Sequence, residues 1–327
     1  MVWVKFFVSV AVILFAGVKL SKYGDKIAEV TGIGRGFIGV ILLGAITSLP
    51  ELVTTISSVS LVKNVDLAWG NIYGSNLLNL AVLSICDFFI SEKDFRKFNR
   101  NNFLTGIFSI IIASIGIFGI ALKRDFIFFH HVSIFTILIL LTYFSGTYLL
   151  YLNERRNKNK VVIENVKSFN KNRIILLFCL NAILIVIAGI TITYTCDEIS
   201  KITGLGSSFV GSIFLAVTTS LPEIVVSISS IKLGSVAMAV GNILGSNFFN
   251  LSIIGFSDFF YFHGNKSIYL SASHINVILG IILVLLTCIY LTGMIAESKK
   301  RIFKLGIDSI IVILGYFITF YFLYHGI

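Results

Sequence analysis

Two glutamates, Glu51 and Glu223, sit in the middle of long apolar stretches, and each closes the same five-residue string, TSLPE, at 47–51 and 219–223. The prolines of these strings are the only two in 327 residues. Proline carries no N–H, and its ring clashes with the carbonyl four residues back. Pro50 therefore frees the carbonyl of Ile46 and loosens that of Thr47, and Pro222 does the same at Thr218 and Thr219. A carboxylate at the centre of a bilayer costs about 2.5–3.5 kcal/mol on insertion scales unless it is partnered. No lysine or arginine lies at a comparable depth in either stretch, so the expected partner comes from outside.

A second doubled motif supplies more oxygen. GNIYGSNLLN at 70–79 is matched by GNILGSNFFN at 241–250. Asn71, Ser75 and Asn79 fall at i, i+4 and i+8, as do Asn242, Ser246 and Asn250, which makes one polar stripe on each helix. Thr47, Glu51 and Ser58 share a face on one broken helix, and Thr219, Glu223 and Ser230 on the other. The pairs Gly70/Gly74 and Gly241/Gly245 have the GxxxG spacing that lets helices approach closely. Two carboxylates with amide, hydroxyl and backbone oxygens form a hard environment suited to Ca²⁺ or Na⁺. It is poor for Zn²⁺ or Cu²⁺, which favour His and Cys. The competing structural reading is a protonated, hydrogen-bonded glutamate, with the serines and asparagines as interhelical glue. Symmetric recurrence of both motifs favours the ion.

The elements that must position these groups follow from composition. Hydrophobic residues make up 56% of the chain, charged residues 13%, and mean hydropathy is +0.95. A soluble domain is nearer a quarter charged, so the chain reads as an all-α integral membrane protein. At roughly 20 apolar residues per span, ten spans are expected: 3–20, 32–61, 65–90, 103–122, 127–152, 173–193, 207–231, 234–260, 271–292 and 305–324. The first lacks a small-residue cleavage site and is expected to be retained. Cys86, Cys179, Cys196 and Cys288 are scattered, without a C-x-x-C pair, and are read as packing residues.

Net charge is +10. With the N-terminus outside, 20 of the 26 basic residues fall on inward-facing segments. That bias predicts termini outside and makes 153–172 a short basic cytoplasmic linker, not a nucleic-acid arm. Residues 32–61 and 204–233 are identical at sixteen of thirty positions. Five spans precede the linker and five follow it; the odd number inverts the second half. The expected architecture is ten helices in two inverted five-helix repeats, 1–152 and 173–327, with helices 2 and 7 broken and motif regions at 32–90 and 204–260. Inverted repeats with discontinuous helices at the midplane are a hallmark of secondary transporters.

The doubled TSLPE followed by the doubled GSNxxN resembles the two alpha repeats of the sodium/calcium exchanger family, within the wider cation/Ca²⁺ exchanger superfamily, over essentially the whole chain. The resemblance implies Na⁺/Ca²⁺ antiport across a cell membrane by alternating access, with Glu51 and Glu223 as central ligands and the carbonyls of Thr47 and Thr219 completing a calcium site. It assigns Ser48, Ser75, Asn79, Ser220, Ser246 and Asn250, with the Ala216 carbonyl, to flanking sodium sites, and has spans 3–20 and 173–193 slide past the core. Several prokaryotic and potassium-dependent relatives carry aspartate at the position of Asn250; the amide here argues against K⁺ co-transport. The linker is too short for the cytoplasmic Ca²⁺-sensing region of animal exchangers. No resident cofactor, nucleic acid or obligatory protein partner is implied beyond the ions and the bilayer.

Charge count gives the antiport logic. One Ca²⁺ neutralises the glutamate pair, whereas Na⁺ needs two or more ions, so the loadings exclude each other. An empty site leaves unpaired carboxylates in a low dielectric and penalises crossing. The nearest rival is Ca²⁺/H⁺ exchange in the same superfamily, whose members typically place asparagine three residues before the glutamate and lack the proline. Here Ser48 and Ser220 occupy that place. A cation channel is a more distant alternative. An intramembrane enzyme lacks support, since neither H-E-x-x-H nor G-x-S-x-G occurs. Asp87 and Asp258, and His130 and His131, are read as interfacial.

Overall fold

In apolar surroundings the backbone must satisfy its own amides, and the computed structural model is accordingly helical through nearly all of its described residues. These are 1–31, 44–89, 100–124, 126–156, 171–232, 236–262, 266–296, 301–302 and 305–325. The principal helices are α1 (Val2–Thr31), α2 (Leu49–Ser57), α3 (Val65–Cys86), α4 (Arg100–Ala121), α5 (Ile134–Arg156), α6 (Lys171–Thr203), α7 (Ser207–Thr219), α8 (Leu221–Lys232), α9 (Val236–Asp258), α10 (Ile275–Ala296) and α11 (Ile307–His325). Among them seven are long and apolar enough to cross a membrane, or eight if the bent pair α7–α8 counts as one span. The α3 helix has the length but is diluted by Asn71, Ser75, Asn76, Asn79 and Ser84. The first part of the expected second span, residues 32–43, lies outside the described residues, as does 157–170 of the expected linker.

Several expected spans shift. The first extends eleven residues further, to Thr31, and the sixth ten further, to Thr203. The expected span 127–152 starts instead with a short antiparallel ladder, Ile127–Phe129 with Val132–Ser133, and its helix begins at Ile134. Ile, Phe and Val around a two-residue turn favour extended backbone over a helical start. His130 (φ 50°) occupies that turn, and His131, expected at the interface, is buried with its ring 3.3 Å from the Phe259 carbonyl. A second small ladder, Arg301–Ile302 with Leu305–Gly306, precedes α11.

Both ladders lead into helices whose first turns are fixed by buried aspartates. Asp258, at the end of α9, accepts from the Ser133 amide (2.9 Å), the Thr136 hydroxyl (2.6 Å) and the Ile268 amide (3.0 Å). Asp87, just after α3, accepts from the Gly306 amide (2.8 Å) and the Ser309 hydroxyl (3.1 Å). A carboxylate beside a helix N-terminus meets unpaired amides and the positive end of the dipole. The two aspartates expected at the interface are thus fully buried inside protein, tying α3 to α11 and α9 to α5.

The helices that carry the polar motifs lie at the centre. A Cβ at Gly70 would collide with the Ser208 backbone and one at Gly74 with Ser212, so α3 and α7 touch backbone to backbone. A Cβ at Gly44 would press on Gly245 and Ser246 (3.2 Å). Trp69, Tyr73, Phe248 and Tyr269 fill the apolar side of this core. The α1 and α6 helices run along each other outside it. Gly17 of α1 rests on the Pro222 ring, and Gly189 of α6 on Val53.

Candidate functional site

Each proline starts a new helix. Pro50 stands in the first turn of α2, behind Ser48 (φ −83°, ψ 13°), and Pro222 in the first turn of α8, behind Ser220 (φ −83°, ψ 0°). On the second side the axis bends by 47°. Backbone pairing crosses the breaks through the serines: Ser48 donates to Gly44 and accepts from Leu52, while Ser220 donates to Ala216 and accepts from Ile224. The carbonyls of Ile46 and Thr218 lose the donor that proline lacks. Glu51 and Glu223 therefore stand in the first turn of a helix, where the dipole favours negative charge.

The two breaks meet. The Ser220 hydroxyl donates to Oε1 of Glu51 (2.9 Å), and the Ser48 hydroxyl donates to Oε1 of Glu223 (3.0 Å). Both carboxyl groups are fully buried. Oε2 of each has no hydrogen-bond partner among the described residues. Around them, Thr47 Oγ1 lies 3.2 Å from Ser246 Oγ, and Thr219 Oγ1 donates to Asn71 Oδ1 (3.3 Å). The Ala216 carbonyl accepts the Ser220 amide (3.0 Å) and the Thr219 hydroxyl (3.3 Å). Ser75 Oγ, Asn79 Oδ1 and Asn250 Oδ1 are buried without a partner among the described residues.

Of eleven candidate residues, Glu51, Glu223, Ser48 and Ser220 are thus joined directly across the two breaks, and Thr47 is joined to Ser246. Glu51, Glu223, Ser75, Asn79 and Asn250 each hold an unpaired buried oxygen. An unpaired buried polar atom costs roughly 1–3 kcal/mol, a cost that a cation bound to such an oxygen would offset. Ser58 and Ser230, expected on the same faces, instead donate to their own helices at Thr54 and Val226. Asn71 donates to Thr54 (2.9 Å) and Thr55 (3.0 Å), and Asn242 to Ser227 (3.1 Å), which fastens each broken helix to its neighbour. Among the described residues, no cluster of three or more His, Cys, Asp or Glu gathers.

Motif spacing assigns no role to two further residues. Asn76 and Asn247, third letters of the two GSN strings, bridge α3 and α9. Their only sequence signal is recurrence at the same place in both copies.

The sodium/calcium exchanger protein family matches residues 1–152 and 173–325. The inner membrane protein YrbG of Escherichia coli (strain K12) is 24% identical over 261 residues, 76% of each chain. Among solved structures, the H⁺/Ca²⁺ exchanger CAX superposes with a TM-score of 0.75 at 12% identity, covering 99% of this chain and 85% of that one. The sodium-calcium exchanger NCX_Mj superposes at 0.61 with 20% identity, covering 97% and 98%. At such identities these two likenesses concern the fold alone, an all-helical one. The family match spans nearly the whole chain, both carboxylates included, and the protein belongs to the sodium/calcium exchanger family.

Proposed function

We propose that the protein is a secondary antiporter that exchanges Na⁺ for Ca²⁺ at one central site built on Glu51 and Glu223. The observation that carries this reading is the reciprocal pairing across the two breaks. Each carboxylate takes one hydroxyl from the opposite half and keeps one oxygen unpaired in a fully buried setting. In this reading Ca²⁺ binds the two glutamates with the carbonyls of Thr47 and Thr219. Na⁺ ions occupy flanking positions served by Ser48, Ser75, Asn79, Ser220, Ser246, Asn250 and the Ala216 carbonyl. Hard cations take such oxygens without a soft ligand.

Ten spans in two inverted repeats, 1–152 and 173–327, fit the way the halves exchange serine–glutamate bonds. Alternating access then moves α1 and α6 across the core, with Gly17 and Gly189 at the crossings. The net two negative charges couple the fluxes, since one Ca²⁺ or two or more Na⁺ satisfy them and an empty site resists crossing. A cytoplasmic-membrane location with both termini outside follows from the basic-residue bias, and the description of YrbG as an inner membrane protein agrees with it.

A Ca²⁺/H⁺ exchange reading is favoured by one observation, the higher TM-score with CAX. Proteoliposomes separate the two. Ca²⁺ uptake driven by an outward Na⁺ gradient and indifferent to collapse of ΔpH supports Na⁺ coupling. Uptake that follows ΔpH without Na⁺ transfers the protein to the proton-coupled class, and uptake without any counter-ion makes it a channel.

A further inference from the structure

We propose that Asn76 and Asn247 are positioning residues: they fix the side-chain amides of Asn250 and Asn79 so that each presents its carbonyl oxygen, not its NH₂, to the transported cation. The inference rests on the site reading above and deepens it, since neither residue is among the proposed ligands.

The orientation follows from two backbone carbonyls, which can only accept. The Asn76 side chain donates to the Asn247 carbonyl (3.3 Å), and the Asn247 side chain donates to the Asn76 carbonyl (3.2 Å). Those contacts settle which end of each amide is nitrogen. The oxygens that remain can only accept in turn. Asn76 Oδ1 takes Nδ2 of Asn250 (3.2 Å), and Asn247 Oδ1 takes Nδ2 of Asn79 (2.9 Å). Asn250 and Asn79 therefore cannot rotate their amides without setting oxygen against oxygen. Their own Oδ1 atoms are left buried and without a partner among the described residues.

An amide turned by 180° has nearly the same shape but opposite polarity. Shape alone would not hold the carbonyl toward an ion, and an NH₂ turned inward would repel one. All four asparagines are buried. Behind them, Asn76, Asn247, Ser109 and Thr287 line a small hollow of about 10 Å³. That is room for about a single water. The clamp is crossed between helices: α3 orients a ligand on α9, and α9 orients one on α3.

The test measures half-saturating Ca²⁺ and Na⁺ and maximal flux in proteoliposomes for Asn76→Leu, Asn250→Ala and their double variant. Leucine keeps the volume and removes both hydrogen-bonding ends. Asn76→Leu is expected to raise half-saturating cation about tenfold, the worth of roughly one ligand, with maximal flux within about twofold. The effect should vanish in the Asn250→Ala background and persist in Asn79→Ala. Should Asn76→Leu fail to fold, Asn247→Leu read against Asn79→Ala carries the same test with the roles crossed. Unchanged half-saturation in Asn76→Leu, or a rise that persists undiminished in Asn250→Ala, overturns the clamp. Unchanged half-saturation in Asn250→Ala itself removes Asn250 from the site, and the proposal falls with that reading.

Discussion

The α9 and α6 helices both traverse the molecule, yet 89% of the apolar window of α9 is buried inside the protein against 28% of that of α6. The α1 helix, at 33%, resembles α6. The difference sorts with chemistry. The α9 helix carries Asn242, Ser246, Asn247, Asn250, Ser252 and Ser257, all buried; α6 turns Leu176, Leu180, Ile183 and Ile187 outward. Polar side chains in a membrane need protein around them, so the helices that hold the site are wrapped, and the apolar pair α1/α6 lies outside. A polar centre with a largely lipid-facing helix pair beside it fits the alternating access proposed above.

The strongest way to break that comparison is to make the centre as neutral as its surroundings. Glu51→Gln or Glu223→Gln should abolish exchange in proteoliposomes while the purified protein still elutes as a single sharp peak. Wild-type flux in either would mean that the carboxylate is structural. Next in size is the backbone contact between α3 and α7. Gly74→Leu drives a side chain into the Ser212 backbone, and overpacking of this kind costs about 3 kcal/mol. Thermal unfolding in detergent should drop by several degrees; an unchanged midpoint would show that the two helices can separate freely.

Smaller effects sharpen the outer half of the comparison. Gly17→Ala places a methyl against the Pro222 ring, where α1 crosses the second break. Turnover should fall several-fold with half-saturating Ca²⁺ unchanged, and a shift in affinity instead would put α1 within the site. Asn64 caps α3 through the Leu67 amide (3.1 Å) and donates to Asp197 of α6 (2.8 Å). Asn64→Ala should cost about 1 kcal/mol of stability by loss of the cap, read from the same melting curves. Ile187→Ala, on the outward face of α6, should stay within about 0.5 kcal/mol.

Much of the site was legible because the chain repeats itself. TSLPE marked both breaks, and the pairing of Ser48 with Glu223 and Ser220 with Glu51 joins residues already singled out. The periodicity of Asn71, Ser75 and Asn79 placed one buried stripe correctly. What escaped were hydroxyls taken up by their own helix and contacts that depend on a second one. Ser58 and Ser230 share the glutamates' faces by spacing, yet a serine hydroxyl within reach of the carbonyl one turn back takes that nearer acceptor. Asp87 and Asp258 read as span-end charges because a one-dimensional pattern does not reveal that a helix N-terminus from elsewhere covers them. The start of the fifth span escaped for a related reason: hydropathy measures how apolar residues 127–133 are, not whether they extend or coil.

By itself the sequence determined that this is a helical membrane chain, that two carboxylates lie in its apolar stretches, and that each follows a forced break. Those facts come from composition and from proline's missing N–H, which no fold can restore. Only the tertiary structure decided which oxygens meet and which way the asparagines point. An amide has two nearly isosteric ends, and the carbonyl that tells them apart belongs to another helix.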